Sequence, residues 1–173
     1  MRESTRRALP ADTEALFDLR TAVIENRMSR EELANLGITP ESVAVILDDA
    51  KHSCWVAEAD GQIIGFSIAD LNESYIFALF VKAEYEGMGI GSGLLALVEQ
   101  DARSAGNTAL WLATGNAPGS RAFGFYRHLG WSSDGCLEDG QVVFRKQVGR
   151  GGGMREAIEK ENRRPGAGWT RDA

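Results

Sequence analysis

Cysteine and histidine are scarce in this chain, two of each among 173 residues. Cys54 and Cys136 fall in separate strand-like segments, and no grouping of His, Cys or acidic residues has the spacing of a metal site. A disulfide framework and a metal centre are therefore not indicated, and both thiols are expected as small core residues. Nor does any stretch approach the roughly 18 apolar residues of a membrane-spanning helix. The opening Met-Arg-Glu-Ser-Thr-Arg-Arg lacks the apolar segment of a secretory leader, so the expected location is the cytoplasm, away from membranes. Net positive charge is missing as well. The formal charge is −6, and the segment from Gly149 onward holds six Arg/Lys against four Asp/Glu, which leaves the rest at −8. Such a surface argues against nucleic acid as a partner and is compatible with a cationic amine.

What is present describes one ordinary domain. Hydrophobic residues make up 43% and charged residues 25% of the chain, enough at this length for a real core. The domain is expected over residues 1–148. The remainder, 149–173, runs from Gly151-Gly152-Gly153 through a charged stretch to Pro165-Gly166, with few apolar anchors, and is expected to be mobile or loosely packed. There is no internal repeat.

Arg2 to Leu9 reads as a strand stopped by Pro10. Ala11 to Asn26 reads as a helix with Ala15, Leu16, Leu19 and Val23 on one face, and Asp12 and Glu14 favour its first turn. Ser29 opens a short helix to Leu36, with Glu32 completing a capping box and Gly37 ending it. Thr39 caps a third piece, Pro40 to Ala50. His52 to Ala59, Gln62 to Leu71 and Tyr75 to Val81 form an antiparallel meander, turned at Asp60-Gly61 and near Asn72-Glu73. A long helix follows, with Ile90, Leu94, Leu97, Val98 and Ala102 at helical spacing and Gly106 at its end. Thr108 to Ala113 must then return beside the preceding strand through a crossover. A helix from Ser120 to Leu129 and a hairpin of Trp131 to Leu137 with Gln141 to Val148 complete an α/β fold on a mixed sheet.

Four glycines, Gly87, Gly89, Gly91 and Gly93, crowd the start of the long helix. A glycine in a helix interior costs up to about 1 kcal/mol, so something is expected to approach the backbone there. A helix start offers unpaired N–H groups and partial positive charge, which suit a phosphate or pyrophosphate. A P-loop would end in Gly-Lys-Ser/Thr, and Gly91-Ser92 lacks the lysine. A dinucleotide fingerprint needs Gly-x-Gly-x-x-Gly after a first strand, and Gly87-Met88-Gly89-Ile90-Gly91 has neither that spacing nor that place.

The run Glu86-Gly87-Met88-Gly89-Ile90-Gly91, followed by Ser92-Gly93-Leu94-Leu95, resembles the acetyl-CoA motif of the GNAT superfamily, Gln/Arg-x-x-Gly-x-Gly/Ala. Ala122-Phe123-Gly124-Phe125-Tyr126-Arg127-His128-Leu129-Gly130-Trp131 resembles that family's Ala-x-x-Phe-Tyr-x-x-x-Gly-Phe/Trp segment. The resemblance covers roughly 75–148, and the order of elements extends it from residue 2. It implies a GNAT-like fold, β-α-α-β-β-β-α-β-α-β-β, whose mostly antiparallel central sheet is splayed between its fourth and fifth strands.

It also implies a site. The pyrophosphate of acetyl-CoA (coenzyme A) would rest on the N–H groups of Gly87, Met88, Gly89, Gly91 and Ser92, with Glu86 and Ile90 in the same loop. Main-chain groups of Leu79, Phe80 or Val81 would hold the pantetheine arm and face the oxyanion. Tyr126 takes the position of the general acid that protonates the departing thiolate, its alternative being a tyrosine packed on the sheet with its hydroxyl in solvent. Ala122 lies in the same segment. Glu86 departs from the family's Gln or Arg, and a carboxylate turned outward with weakened cofactor binding is expected. Gly119 stands where many members have Asn, and Asn116 is the nearby alternative. The family's carboxylate base corresponds to Tyr75; Glu73, two residues earlier, is a candidate base, and a water chain or an amine bound neutral is the preferred route. Glu25, Asn26, Arg27, Glu31 and Glu32 are candidate acceptor contacts, each also readable as solvated surface charge. His52 and His128 are expected as surface or structural residues.

The resulting expectation is an N-acetyltransferase that moves an acetyl group from acetyl-CoA to a primary amine, small-molecule or peptide, by direct attack in a ternary complex. A homodimer is compatible with it. The alternative, favoured by Glu86 and the missing carboxylate base, is a non-catalytic acyl-CoA-binding or regulatory module.

Overall fold

The computed structural model describes residues 2–23, 27–115 and 121–149. Glu25, Asn26, Asn116, Gly119 and the segment 150–173 lie outside the described residues. The elements run β1 (Glu3–Arg7), α1 (Thr13–Ala22), α2 (Arg30–Asn35), α3 (Pro40–Leu47), β2 (His52–Ala59), β3 (Gln62–Asp70), β4 (Tyr75–Val81), α4 (Ile90–Ser104), β5 (Ala109–Thr114), α5 (Arg121–His128), β6 (Ser132–Cys136) and β7 (Val142–Gln147).

Local chemistry sets most boundaries. Pro10 opens a short 3-10 turn, so α1 begins at Thr13 rather than Ala11. It ends at Ala22 because Val23 is extended, at φ −67° and ψ 142°. Asp12 does more than favour the turn: it accepts from Leu9 N–H (2.7 Å) and from Arg6 (2.8 and 2.9 Å). The Ser29–Glu32 capping box forms as expected. Gly37, at φ +79°, breaks the chain before Thr39 caps α3, so three helices stand where the family order counts two.

Seven strands form one sheet in the order β1-β2-β3-β4-β5-β7-β6. Every neighbouring pair is antiparallel except β4–β5, which is parallel. Asp60 and Gly61, at φ 50° and 79°, make the tight β2–β3 hairpin with both central residues left-handed. Helices α4 and α5 cover one face, where Leu94, Leu95, Val98 and Ala102 meet Leu110, Leu112 and Phe144. Leu95 belongs to this buried face, whereas Leu97 is half-buried at its margin. The opposite face of β2–β4 is covered by α1–α3, with Leu16, Phe17, Leu33 and Val43 against Phe66 and Phe80. Burying each Leu or Phe contributes about 1.5–3 kcal/mol, so the two layers hold the sheet between them.

The cysteines divide. Cys54 is buried, and burial pushes its thiol up to about 12, which rules it out as a nucleophile near neutral pH. Cys136 is exposed on the edge strand β6, contrary to the expectation of a core residue, because every residue of that strand faces solvent.

Candidate functional site

The centre of the sheet is held open by two irregularities. On β4, Ala78 pairs with Ile68 but Ile76 pairs with Ala69, so Phe77 is an extra residue and the strand carries a bulge. A bulge bends its strand and increases its twist. On the other side, β4 and β5 share a single register pair, Tyr75 with Trp111. Trp111 N–H donates to Ser74 C=O (2.9 Å) and its indole N–H to Glu73 C=O (3.1 Å), which pins this end shut. Beyond it the strands part.

Which main-chain groups face the opening follows from the ladder with β3. Lys82 N–H donates to Ile64 C=O (2.8 Å). By the two-residue alternation of an antiparallel ladder, Phe80 and Ala78 also turn their main-chain groups to β3, while those of Leu79 and Val81 face the gap. Phe80 thus leaves the set of three expected donors. Its side chain lies on the α1 face, under the Arg20 guanidinium at 4.7 Å.

Where the gap opens, a cleft of about 510 Å³ lies between the loop after β4 and α5. One wall is Val81, Glu86, Gly87, Gly89, Gly91 and Ser92. Gly87 and Gly89 have φ of 77° and 84°, a conformation that excludes most L side chains without strain. The first intrahelical bond of α4 runs from Gly93 N–H to Gly89 C=O (3.0 Å). The N–H groups of Ile90, Gly91 and Ser92, one turn earlier, therefore have no intrahelical acceptor. Gly65 of β3 lets this turn sit close to the sheet, since a Cβ there would lie 3.1 Å from Phe80 O and 3.3 Å from Ile90 Cγ2.

The other wall is α5, which shows two faces. Ala122 and Tyr126 point to the core, and Arg121, Phe125, His128 and Leu129 line the cleft. The 121, 125, 128 spacing, one face of a helix, is the signal in the sequence that could have found this second wall. His128 thus faces the cleft. Tyr126 has no solvent-exposed surface and packs against Trp131 (5.9 Å between ring centroids) and Phe144 (5.5 Å), so its hydroxyl is not in bulk solvent.

Glu86 also differs from expectation. It does not turn outward: its side chain is 15% exposed and accepts a hydrogen bond from Arg121 Nη1 across the cleft. Glu73 is not brought to the cleft. It sits in the β3–β4 turn, its N–H bound to Asp70 (3.1 Å), on the far side of the Tyr75–Trp111 pair. Arg27 is exposed ahead of α2. Glu32 is spent on capping Ser29 N–H (2.7 Å) and is no free substrate contact. Among the described residues there is no group of three or more potential metal ligands, and no helix is long and apolar enough to cross a membrane.

These features have counterparts in known proteins. Residues 19–131 match the model of the Acetyltransferase (GNAT) family. The chain is 34% identical over 95 residues to N-acetyltransferase family 8 member 2 of Rattus norvegicus, a match that spans 50% of this chain and 42% of that relative. The chain thus spans less than half the length of that curated relative. Its fold superimposes on PaiA N-acetyltransferase from Thermoplasma acidophilum in complex with coenzyme A, with a TM-score of 0.74, 19% identity and coverage of 85% and 99% of the two chains. It also superimposes on the ribosomal-protein-S18-alanine N-acetyltransferase of Escherichia coli, with a TM-score of 0.68, 16% identity and coverage of 87% and 97%. With a family model matched over most of the domain, two glycine-set turns at the head of α4 and a sheet parted between β4 and β5, the chain belongs to the GNAT acetyltransferase family.

Proposed function

We propose that this protein is an N-acetyltransferase that passes an acetyl group from acetyl-CoA to a primary amine by direct attack. The observation that carries the reading is the coincidence of an open strand gap and a helix start at one cleft. The residues suit the carrier: a Cβ added at Gly87 would meet no atom within 4 Å, so there is open space beside the loop. The N–H groups of Gly87, Met88, Gly89, Ile90, Gly91 and Ser92 would hold its pyrophosphate.

Bound there, the carrier supplies an activated acetyl thioester. Leu79 and Val81 would hold its pantetheine arm as an added strand edge, and one of their N–H groups would donate to the oxygen that gains charge during attack. Tyr126 lies buried on the core face of α5 and not among the cleft-lining residues. As the acid, its hydroxyl would have to reach the departing sulfur, whose thiol has an ordinary pKa of about 8.5, from behind the cleft wall. From Tyr75 to Leu79 the strand rises about 13 Å, and Glu73 lies further still, so the amine would lose its proton to a water chain or enter already neutral. Arg27 stands on the α1–α2 side from which the amine would enter.

Titration calorimetry with acetyl-CoA, followed by a panel of amines read by free-thiol release, tests the reading. Binding followed by amine-dependent thiol release is expected. Absence of binding sinks the reading, and binding without release on any amine selects the alternative, a non-catalytic acyl-CoA-binding module.

A further inference from the structure

Among the described residues that line the cleft, Arg121 is the one side chain with a permanent positive charge and Glu86 the one with a negative charge. The two are joined through Arg121 Nη1 and Glu86 Oε2. They differ in setting: Glu86 is 15% exposed and Arg121 is 53% exposed. A guanidinium carries five N–H donors, and this contact engages one of its nitrogens. A carboxylate anchored in the loop therefore grips one edge of a guanidinium on the facing helix, and the other edge remains for a ligand.

The charges make this arrangement consequential. An anion seated on the N–H groups of α4 would lie in the same cleft as the Glu86 carboxylate. Like charges at contact distance in a partly desolvated site repel by several times the thermal energy unless a cation stands between them. The body of the protein is acidic, so no general positive field makes up the difference. Arg121 is the group that can both neutralise Glu86 and donate to a phosphate, and its planar fork suits bidentate phosphate contact.

We propose that Arg121 is the phosphate-binding cation of this cleft and that Glu86 is its positioning residue, the two acting as one unit. The donor that related loops carry at the position of Glu86 is here delivered from α5. This rests on the reading of the cleft as an acyl-CoA site, and it names the residues that take the carrier's phosphates.

The test is titration calorimetry with coenzyme A on the full chain, comparing wild type with Arg121→Gln, Arg121→Lys, Glu86→Gln and the double variant. Arg121→Gln is expected to weaken binding about tenfold or more, because it removes a donor and leaves Glu86 facing the phosphates. Arg121→Lys keeps the charge and should lose less. Glu86→Gln alone should cost a smaller factor, since the guanidinium is present but no longer held. The double variant should bind more tightly than Arg121→Gln, because the unpaired carboxylate is gone. That recovery is a non-additive signature read in coenzyme A affinity, and urea midpoints of the same four variants separate it from coupling in fold stability alone. Arg121→Gln within about twofold of wild type removes the cation role. Tighter binding by Glu86→Gln than by wild type would show that Glu86 competes with the phosphate instead of positioning Arg121. Wild type that fails to bind coenzyme A defeats the acyl-CoA reading itself, an outcome separate from either of these.

Discussion

Tyr75 and Trp111 stack with ring centroids 4.1 Å apart at the one place where β4 and β5 remain in register. The stack, with the two Trp111 N–H bonds to Ser74 and Glu73, acts as the clasp from which the strands diverge. Both rings are buried, at 6% exposure each.

Trp111→Phe keeps a ring and removes the indole donor, and should cost about 1 kcal/mol of stability. Trp111→Ala should cost about 3–5 kcal/mol and let the gap lose its shape. Urea unfolding measures the first quantity, and acetyl-CoA affinity of the folded variants measures the second. Unchanged affinity in a folded Trp111→Ala variant would mean that the clasp does not shape the gap.

Tyr126→Phe should lower kcat by roughly 10²–10⁴-fold if the phenol protonates the sulfur. Calorimetric affinity for acetyl-CoA should stay close to wild type, since the buried ring against Trp131 and Phe144 is preserved. Turnover equal to wild type removes the acid role.

Gly87→Ala places a methyl group in space that is open in the protein but claimed by the anion in our reading. The stability cost is the left-handed backbone alone, about 1–2 kcal/mol, because no atom lies within 4 Å of the new Cβ. Coenzyme A affinity should fall about tenfold or more, a loss out of proportion to the thermal shift.

Asp101 accepts from Ser53 Oγ (2.6 Å), Trp55 Nε1 (2.9 Å) and Arg7 Nη2 (2.8 Å) and ties α4 to β1 and β2. Burial alone would raise its pKa, but the bonds from Arg7, Ser53 and Trp55 outweigh it and hold the carboxyl below the usual carboxylate value. A depressed folded pKa means that its stabilisation is present above the unfolded value, about 3.9, and is lost as the pH falls through the folded one. Asp101→Asn should therefore be less stable at pH 7 by about 1–3 kcal/mol. The difference between the two proteins should shrink below about pH 4. Denaturant midpoints across pH 2–8 check this, and a gap that stays constant counts against it.

Local patterns carried much of this fold into the sequence. Strands β2 and β4 have the bounds that alternation and apolar content indicate, because those signals act between residues close in the chain. The capping boxes at Ser29 and the Asp60-Gly61 hairpin are likewise short-range chemistry. Two of the four glycines before and within the head of α4, Gly87 and Gly89, take left-handed turns, a conformation that glycine makes legible without any partner.

The rest was decided only by tertiary structure. Cys136 falls in a strand-like run, but which strand forms the edge depends on how β7 inserts beside β5. Glu86 looks like a lost donor until Arg121, 35 residues later, is seen across the cleft. The choice of Leu79 and Val81 over Phe80 depends on which way the β3–β4 ladder turns each peptide, and that follows from pairing rather than from side-chain type. Periodicity tells which residues share a face; only packing tells what the face meets.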